Sequence, residues 1–181
     1  EPDDAHLTGV ILRLNDDGTA PVDNPFFDVG AATGGAAGAN IQKIFAYGLR
    51  NSFGMAFDPL SGDLWLEQNG DDTFTELDRV EPGMNGGWVQ IMGPVERIAQ
   101  FKAIETSPQF FGLQQLRWPP TNIADSPEEA LSRLFMLPGA HYSDPEFSWK
   151  FEVAPAGIGF VTGRGLGPEF EGDLFMGGAR T

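Results

Sequence analysis

Two short clusters carry the residue types that could do chemistry. In the first, Ala46-Tyr47-Gly48-Leu49-Arg50-Asn51-Ser52-Phe53-Gly54, an arginine and an asparagine follow a strand-like run and lead into a glycine turn. A guanidinium is a planar cation with five donors that stays protonated, so Arg50 suits an anionic ligand or charge developing on an oxygen. A surface arginine paired with one of the chain's many carboxylates would read the same way. In the second cluster, Gln68-Asn69-Gly70-Asp71-Asp72 with Glu76 beyond it, oxygen donors gather at the end of a strand. Gly70 lets the backbone turn its carbonyls outward, and hard oxygens in that pattern suit a hard cation such as calcium. An acidic solvated turn is the competing reading.

Other signals resolve to plainer readings. The run Gly30 to Gly38 is rich in glycine, but no Lys-Ser/Thr pair follows Gly35 and no helical pattern opens there, so it reads as a flexible loop and not a phosphate cradle. Asn15-Asp16-Asp17-Gly18 resembles part of a calcium loop, yet Arg13 stands where the first carboxylate ligand belongs, which leaves a hairpin turn. His6 and His141 share no metal-ligand spacing, and His141 beside Tyr142 reads as a hydrogen-bonded loop residue. Without cysteine, thiolate metal sites and cysteine nucleophiles are excluded, and no nucleophile-elbow motif supports serine catalysis.

The elements that must position these clusters are short. Thr8 to Asn15 alternates Val10, Leu12 and Leu14 against Ile11 and Arg13 before the Asn15–Gly18 turn, a strand entering a hairpin. Strand-length apolar runs follow at 41–47, 54–57, 63–68, 76–80, 88–91, 147–151, 158–162 and 173–176. Gly54-Met-Ala-Phe57 followed by Gly62-Asp-Leu-Trp-Leu66 recurs as Gly157-Ile-Gly-Phe160 followed by Gly172-Asp-Leu-Phe-Met176. Propeller blades repeat every ~40–50 residues, so these copies should sit about two blades apart. Between them, residues 93–139 form an irregular insertion expected to hold two short helices. One is marked by Ile98, Phe101 and Ile104, the other by the capping-box spacing of Ser126-Pro127-Glu128-Glu129. The fold expected is all-β: a propeller-like array of antiparallel strands, too short to close.

Composition bounds the rest. A length of 181 residues suits one domain or a piece of one, and 41% hydrophobic residues can fill a core. Gly 24 and Pro 14 argue for many turns and against a helical bundle. A net charge of −15 repels phosphate backbones and anionic lipid, so nucleic acid and membrane surfaces are poor partners. The start, Glu1-Pro2-Asp3-Asp4, has neither the methionine nor the basic and apolar stretches of a secretory signal, and reads as an excised or mature piece.

Taken in order, Tyr47-Gly-Leu-Arg-Asn51, Gly54-Met-Ala-Phe-Asp-Pro59, Gly62-Asp-Leu-Trp65, Asn69-Gly70, Glu76 and Glu81-Pro-Gly-Met-Asn-Gly-Gly-Trp88 resemble the soluble PQQ-dependent glucose/sorbosone dehydrogenases, which include the aldose sugar dehydrogenases. Similarity also covers Gly9 to Pro25, Phe147-Ser-Trp149, Ala154-Pro155 and Gly172 to Arg180, while Gly93 to Tyr142 is unlike the better-known members. The resemblance implies a six-bladed β-propeller of four-stranded blades. This chain would be a fragment of that single domain, residues 1–181, with about three blades and 93–139 as an inter-blade insertion. It implies the cofactors PQQ and calcium, a small-molecule sugar substrate, and a periplasmic or extracellular setting. The implied reaction takes an anomeric hydroxyl to a lactone, with a histidine base accepting the proton and hydride passing to the quinone.

Carried over by position, the resemblance makes Arg50 the catalytic arginine beside the quinone oxygens, and Asn51 a neighbouring donor to PQQ. Asn69 takes the place of a Gln or His, and Arg180 that of a cationic lysine contacting the cofactor. Gly70 and Asp71 stand where two backbone carbonyls bind the PQQ-linked calcium, with Asp71 in place of a usual proline. Glu76 and the backbone of Gly86 match a second, structural calcium site, with Thr75 replacing a usual aspartate. The histidine base of the family precedes Glu1, so this chain alone is expected to be inactive. Two other readings stay open: a non-catalytic propeller binding a protein or polysaccharide partner, and a sugar-lactone hydrolase, whose carboxylate and amide ligands from separate blades are not evident.

Overall fold

The computed structural model describes residues 6–110 and 119–179. Its strands form three sheets. The central one, order β3-β4-β5-β8, is antiparallel throughout and is built from β3 (Gly54–Phe57), β4 (Leu64–Gln68), β5 (Thr73–Val80) and β8 (Phe147–Phe151). The β3–β4 connection is set locally: the Asp58 carboxylate accepts the Leu60 N–H at 2.8 Å and the Ser61 hydroxyl at 2.9 Å, and Gly62 takes a φ of +80°.

Register decides which side chains share a face. Leu64 pairs with Phe57 and Val80, and Leu66 with Met55 and Asp78. Leu64, Leu66 and Val80 therefore project together, and they pack on Ala46, Leu49 and Met84. The partner is a mixed sheet, order β1-β2-β6-β7, from β1 (Val10–Leu12), β2 (Ile44–Tyr47), β6 (Met84–Asn85) and β7 (His141–Tyr142). The opposite face of the central sheet meets a hairpin of β9 (Pro155–Phe160) and β10 (Leu174–Gly178). There a Cβ added at Gly54 would lie 3.1 Å from Ile158 Cγ2. Three sheets are thus stacked face to face.

Several expectations are corrected. Only the central sheet is a four-stranded antiparallel one, since β6 pairs parallel with both β2 and β7, and the third sheet has two strands. The two copies of the Gly-Asp-Leu-aromatic repeat occupy neighbouring sheets and not sheets two apart, because the described residues of 93–139 lengthen the sequence between them without adding a sheet. The turn at Asn15–Gly18 forms, with the Gly18 N–H donating to Asn15 O at 2.9 Å, but β1 pairs with β2 and not with the segment after the turn. Residues 88–91 are a turn, in which Gln90 and Ile91 N–H groups both donate to Gly87 O at 2.9 Å.

The glycine-rich segment is not a loop. It forms α1 (Phe27–Thr33) and α2 (Gly35–Ile41), which cover the outer face of the mixed sheet through Phe26, Ile41 and Ile44. A Cβ on Gly38 would lie 2.2 Å from Gly30 O, and one on Gly30 2.4 Å from Gly38 O. The glycines are there because the helix backbones touch.

The described residues of 93–139 carry α3 (Ile98–Glu105), α4 (Pro127–Ser132) and two single 3₁₀ turns. Their apolar residues Ile98, Phe101, Ile123 and Ala130 close around Phe74 of β5. Ser126 caps α4, its Oγ accepting the Glu129 N–H at 3.2 Å. Among the described residues no helix is long and apolar enough to cross a membrane.

Candidate functional site

The two chemical clusters meet. Chain leaving β2 turns at Gly48, where a φ of +74° and a hypothetical Cβ only 2.1 Å from Asn85 Oδ1 admit nothing but glycine. Arg50 follows, and its side chain points inward along the loop after β4. Nη1 donates to Asn69 O at 2.8 Å and to Gly70 O at 2.7 Å, while Nη2 lies 2.7 Å from Asp71 Oδ1. The guanidinium carbon sits 5.3 Å from the centroid of the Trp88 ring. At 18% side-chain exposure this is no surface arginine, and its buried Nε–H has no partner. Trp88 also borders a cavity of about 590 Å³ shared with Tyr47, Leu49, Asn85, Gln90 and Phe135.

Asn69 is held rather than presented. Its backbone N–H donates to Asn51 O at 2.8 Å, and its amide nitrogen donates to Pro155 O at 2.9 Å, tying the loop to the neighbouring hairpin. The Asn51 side chain is exposed. From the other side, α3 of the insertion brings in Glu105, buried, whose carboxylate accepts the Asp72 N–H at 3.3 Å. Burial first, then the nearby Asp71 and Asp72 charges, push the Glu105 carboxyl up to about 7 against the opposing pull of the Asp72 N–H and, more weakly, of Arg50.

Glu76 lies elsewhere, beneath the sheet. It is 2% exposed, accepts the Gly93 N–H on Oε1, and accepts Gln68 Nε2 on Oε2 at 3.1 Å. Gln68 Nε2 also donates to Asp78 Oδ2 at 2.8 Å, so one amide spans two buried carboxyls. Burial, then the Asp78 charge, hold Glu76 well above the usual carboxylate range, and burial pushes Asp78 up to about 7. The Gly86 N–H donates to Tyr47 O at 2.9 Å. Among the described residues no three His, Cys, Asp or Glu side chains converge as a metal site. His141 Nε2 forms a surface pair with Glu81 Oε2 at 3.4 Å, and Arg180 lies outside the described residues.

Residues 2–110, more than half of the chain, match the glucose/sorbosone dehydrogenase family. The chain belongs to that family. It is 31% identical over 175 residues to an uncharacterized protein of Synechocystis sp., a match covering 96% of this chain and 32% of that protein. It is 38% identical over 82 residues to the aldose sugar dehydrogenase YliI of Escherichia coli, covering 45% and 20%. The PQQ-bound aldose sugar dehydrogenase of Streptomyces coelicolor superposes with a TM-score of 0.54 at 25% identity, covering 98% of this chain and 34% of that one. The chain thus spans about a third of the length of the Synechocystis and Streptomyces proteins.

In this glucose/sorbosone dehydrogenase family chain, the first cluster and the loop 69–71 are where the sequence pointed, in one place. Glu67 and Glu105 are not singled out by the sequence, which marks Gln68 only as one oxygen donor of the second cluster and Trp88 only as the end of a motif. Gln68 and Glu76 face each other across the β4–β5 ladder, a pairing that period-2 alternation could have exposed once the register was known. Glu105 gave no such signal, since its burial comes from α3 folding back on the loop.

Proposed function

We propose that the protein containing this chain is a PQQ-dependent dehydrogenase of aldose-type sugars, and that the stacked sheets are consecutive blades of a six-bladed β-propeller. One observation carries the reading: Arg50 converges with the oxygens of Asn69, Gly70 and Asp71 while its buried Nε–H remains without a partner. An electron-rich oxygen of a bound group would satisfy that donor. The residues fit an anionic cofactor only together with a cation, because Asp71, Asp72 and Glu105 surround Arg50 and would repel a carboxylate by themselves. Calcium suits the available oxygens, the Gly70 carbonyl and the Asp71 carbonyl or carboxylate, with the guanidinium giving up part of its grip on the loop. Bound there, PQQ would supply a quinone that accepts hydride and calcium would polarise it.

The chain's own residues do the rest. Arg50 stabilises negative charge on an oxygen beside its Nε, a gain that grows as charge develops and so favours the transition state. Trp88 packs against the guanidinium and also borders the cavity, where its ring would give a sugar an apolar surface. The Gln90 Oε1, buried and without a partner at the cavity wall, can accept a sugar hydroxyl. His6 is exposed and lines the same cavity as Trp88, and His141 pairs with Glu81 at the surface; the family resemblance assigns the base that removes the anomeric proton to another part of the protein. Glu76 and the backbone of Gly86 are retained as the candidates for a structural calcium, with Asp78 as a buried neighbour of Glu76. A periplasmic or extracellular setting goes with this reading.

The Arg50–Asp71 ion pair favours the second reading, a non-catalytic binding module, since it already neutralises the arginine. Titrating the full-length protein with PQQ and calcium, then adding an aldose and following absorbance of the reduced quinone, separates the two. Absence of PQQ binding would remove the enzyme reading.

A further inference from the structure

Arg50 is placed by one side chain that has no freedom to turn. Its backbone N–H donates to Gln68 Oε1 at 2.7 Å. The other end of the same amide donates to Glu76 Oε2 at 3.1 Å and Asp78 Oδ2 at 2.8 Å, and Gln68 itself is 1% exposed. A flipped amide would aim its oxygen at two carboxyls and its NH₂ at a backbone N–H, three mismatched contacts at a buried site. Glu76 is in turn fixed by the N–H of Gly93, where a φ of +78° and a Cβ position 2.4 Å from Phe74 Cγ leave no room for another residue. A continuous buried chain therefore runs from the first residue of the insertion, through Glu76 and Gln68, to the backbone of Arg50.

We infer that Gln68 is a positioning residue for Arg50, orienting the arginine loop from the buried Glu76–Asp78 pair. Resting on the dehydrogenase reading, it deepens that reading by adding a group that touches neither cofactor nor substrate. Position matters because Nη1 reaches both Asn69 O and Gly70 O, and a loop that drifts by a fraction of an ångström cannot keep both contacts.

The test uses the full-length protein with Gln68→Met, which keeps length and loses all three hydrogen bonds, beside Ile123→Ala, which opens a void beneath the insertion in a cluster that holds none of residues 49–53. Hydrogen–deuterium exchange of the peptide spanning 49–53 is read first, since it needs no cofactor. Exchange there should speed up about tenfold in Gln68→Met, the worth of one lost hydrogen bond, and stay unchanged in Ile123→Ala. PQQ affinity should fall and reduction of bound PQQ at saturating sugar should slow, with KM for the sugar little altered. Should Gln68→Met fail to fold, Gln68→Glu keeps an acceptor for the Arg50 N–H and should preserve protection of 49–53 while lowering the melting temperature. Unchanged exchange in Gln68→Met, or lost protection in Gln68→Glu, overturns the positioning role. Wild-type protein that binds no PQQ overturns the dehydrogenase reading instead, and the exchange result still decides the role of Gln68.

Discussion

At the scale of the residue, Arg50 does two things at once: it ties the 69–71 loop together and keeps one donor in reserve. Lysine retains the charge but offers a single point where the fork gripped two carbonyls and a carboxylate. Arg50→Lys should therefore slow reduction of bound PQQ by roughly 10²–10³-fold, the usual consequence of removing one such donor, and stopped-flow absorbance is the check. Glu67 gives a separate prediction. Its buried carboxyl accepts the Phe53 N–H at 3.0 Å on one oxygen, the other has no partner, and burial pushes it up to about 7. Because the folded value lies above the ordinary 4.5, its contribution is complete below about pH 4.5 and is lost as pH rises through about 7. Glu67→Gln should match wild type at pH 4 and exceed it at pH 8 by on the order of 1–3 kcal/mol, measured by denaturant unfolding at both values. Residue types announced Arg50 and the loop oxygens, since cation and carboxylate chemistry shows in the letters. Glu67 was silent because its meaning comes only from the hairpin laid over it.

Elements were legible where pattern and period agreed. The β3–β4 and β9–β10 hairpins, α3 and the capped start of α4 could be read from apolar spacing and Gly-Asp turns, with ends off by a few residues. The helix pair α1–α2 was not, because its glycines serve a backbone contact and leave no apolar stripe for periodicity to find. Gly38→Ala tests that account. In an ordinary helix the exchange gains up to about 1 kcal/mol. Here the added carbon would meet Gly30 O, so it should instead destabilise by ~1–3 kcal/mol, seen as a lower denaturation midpoint. An unchanged or raised midpoint would show that the helices can slide apart. Sheet membership was harder still: β6 and β7 are two residues each, too short to carry an alternation, and their parallel pairing depends on segments 56 residues apart in number, from Asn85 to His141.

At the scale of the whole molecule, large apolar side chains remain on the surface, among them Phe57 at 69% and Met55 at 60% on an edge strand and Phe175 at 50% on the outer hairpin. Such surface is what further sheets would cover in a closed ring, and an uncovered strand edge pairs readily with another. The 181-residue chain alone should therefore self-associate at micromolar concentration despite its charge of −15, which light scattering with increasing salt would expose as the charges are screened. A monodisperse monomer at 0.5 M salt would argue that these faces are tolerated bare. The bond from Asn69 to Pro155, across 86 residues of sequence, has a consequence in time. At translation rates of ~5–20 residues per second, the loop that carries Arg50's partners waits roughly 4–17 s after its own synthesis before Pro155 exists to hold it. Over the same interval β5 lacks β8 and stands as an open edge. A nascent chain of this protein thus passes through a window in which its most chemically specialised loop is also its least protected, and a holdase that covers β5 for those seconds would raise the yield of active protein more than one acting after release.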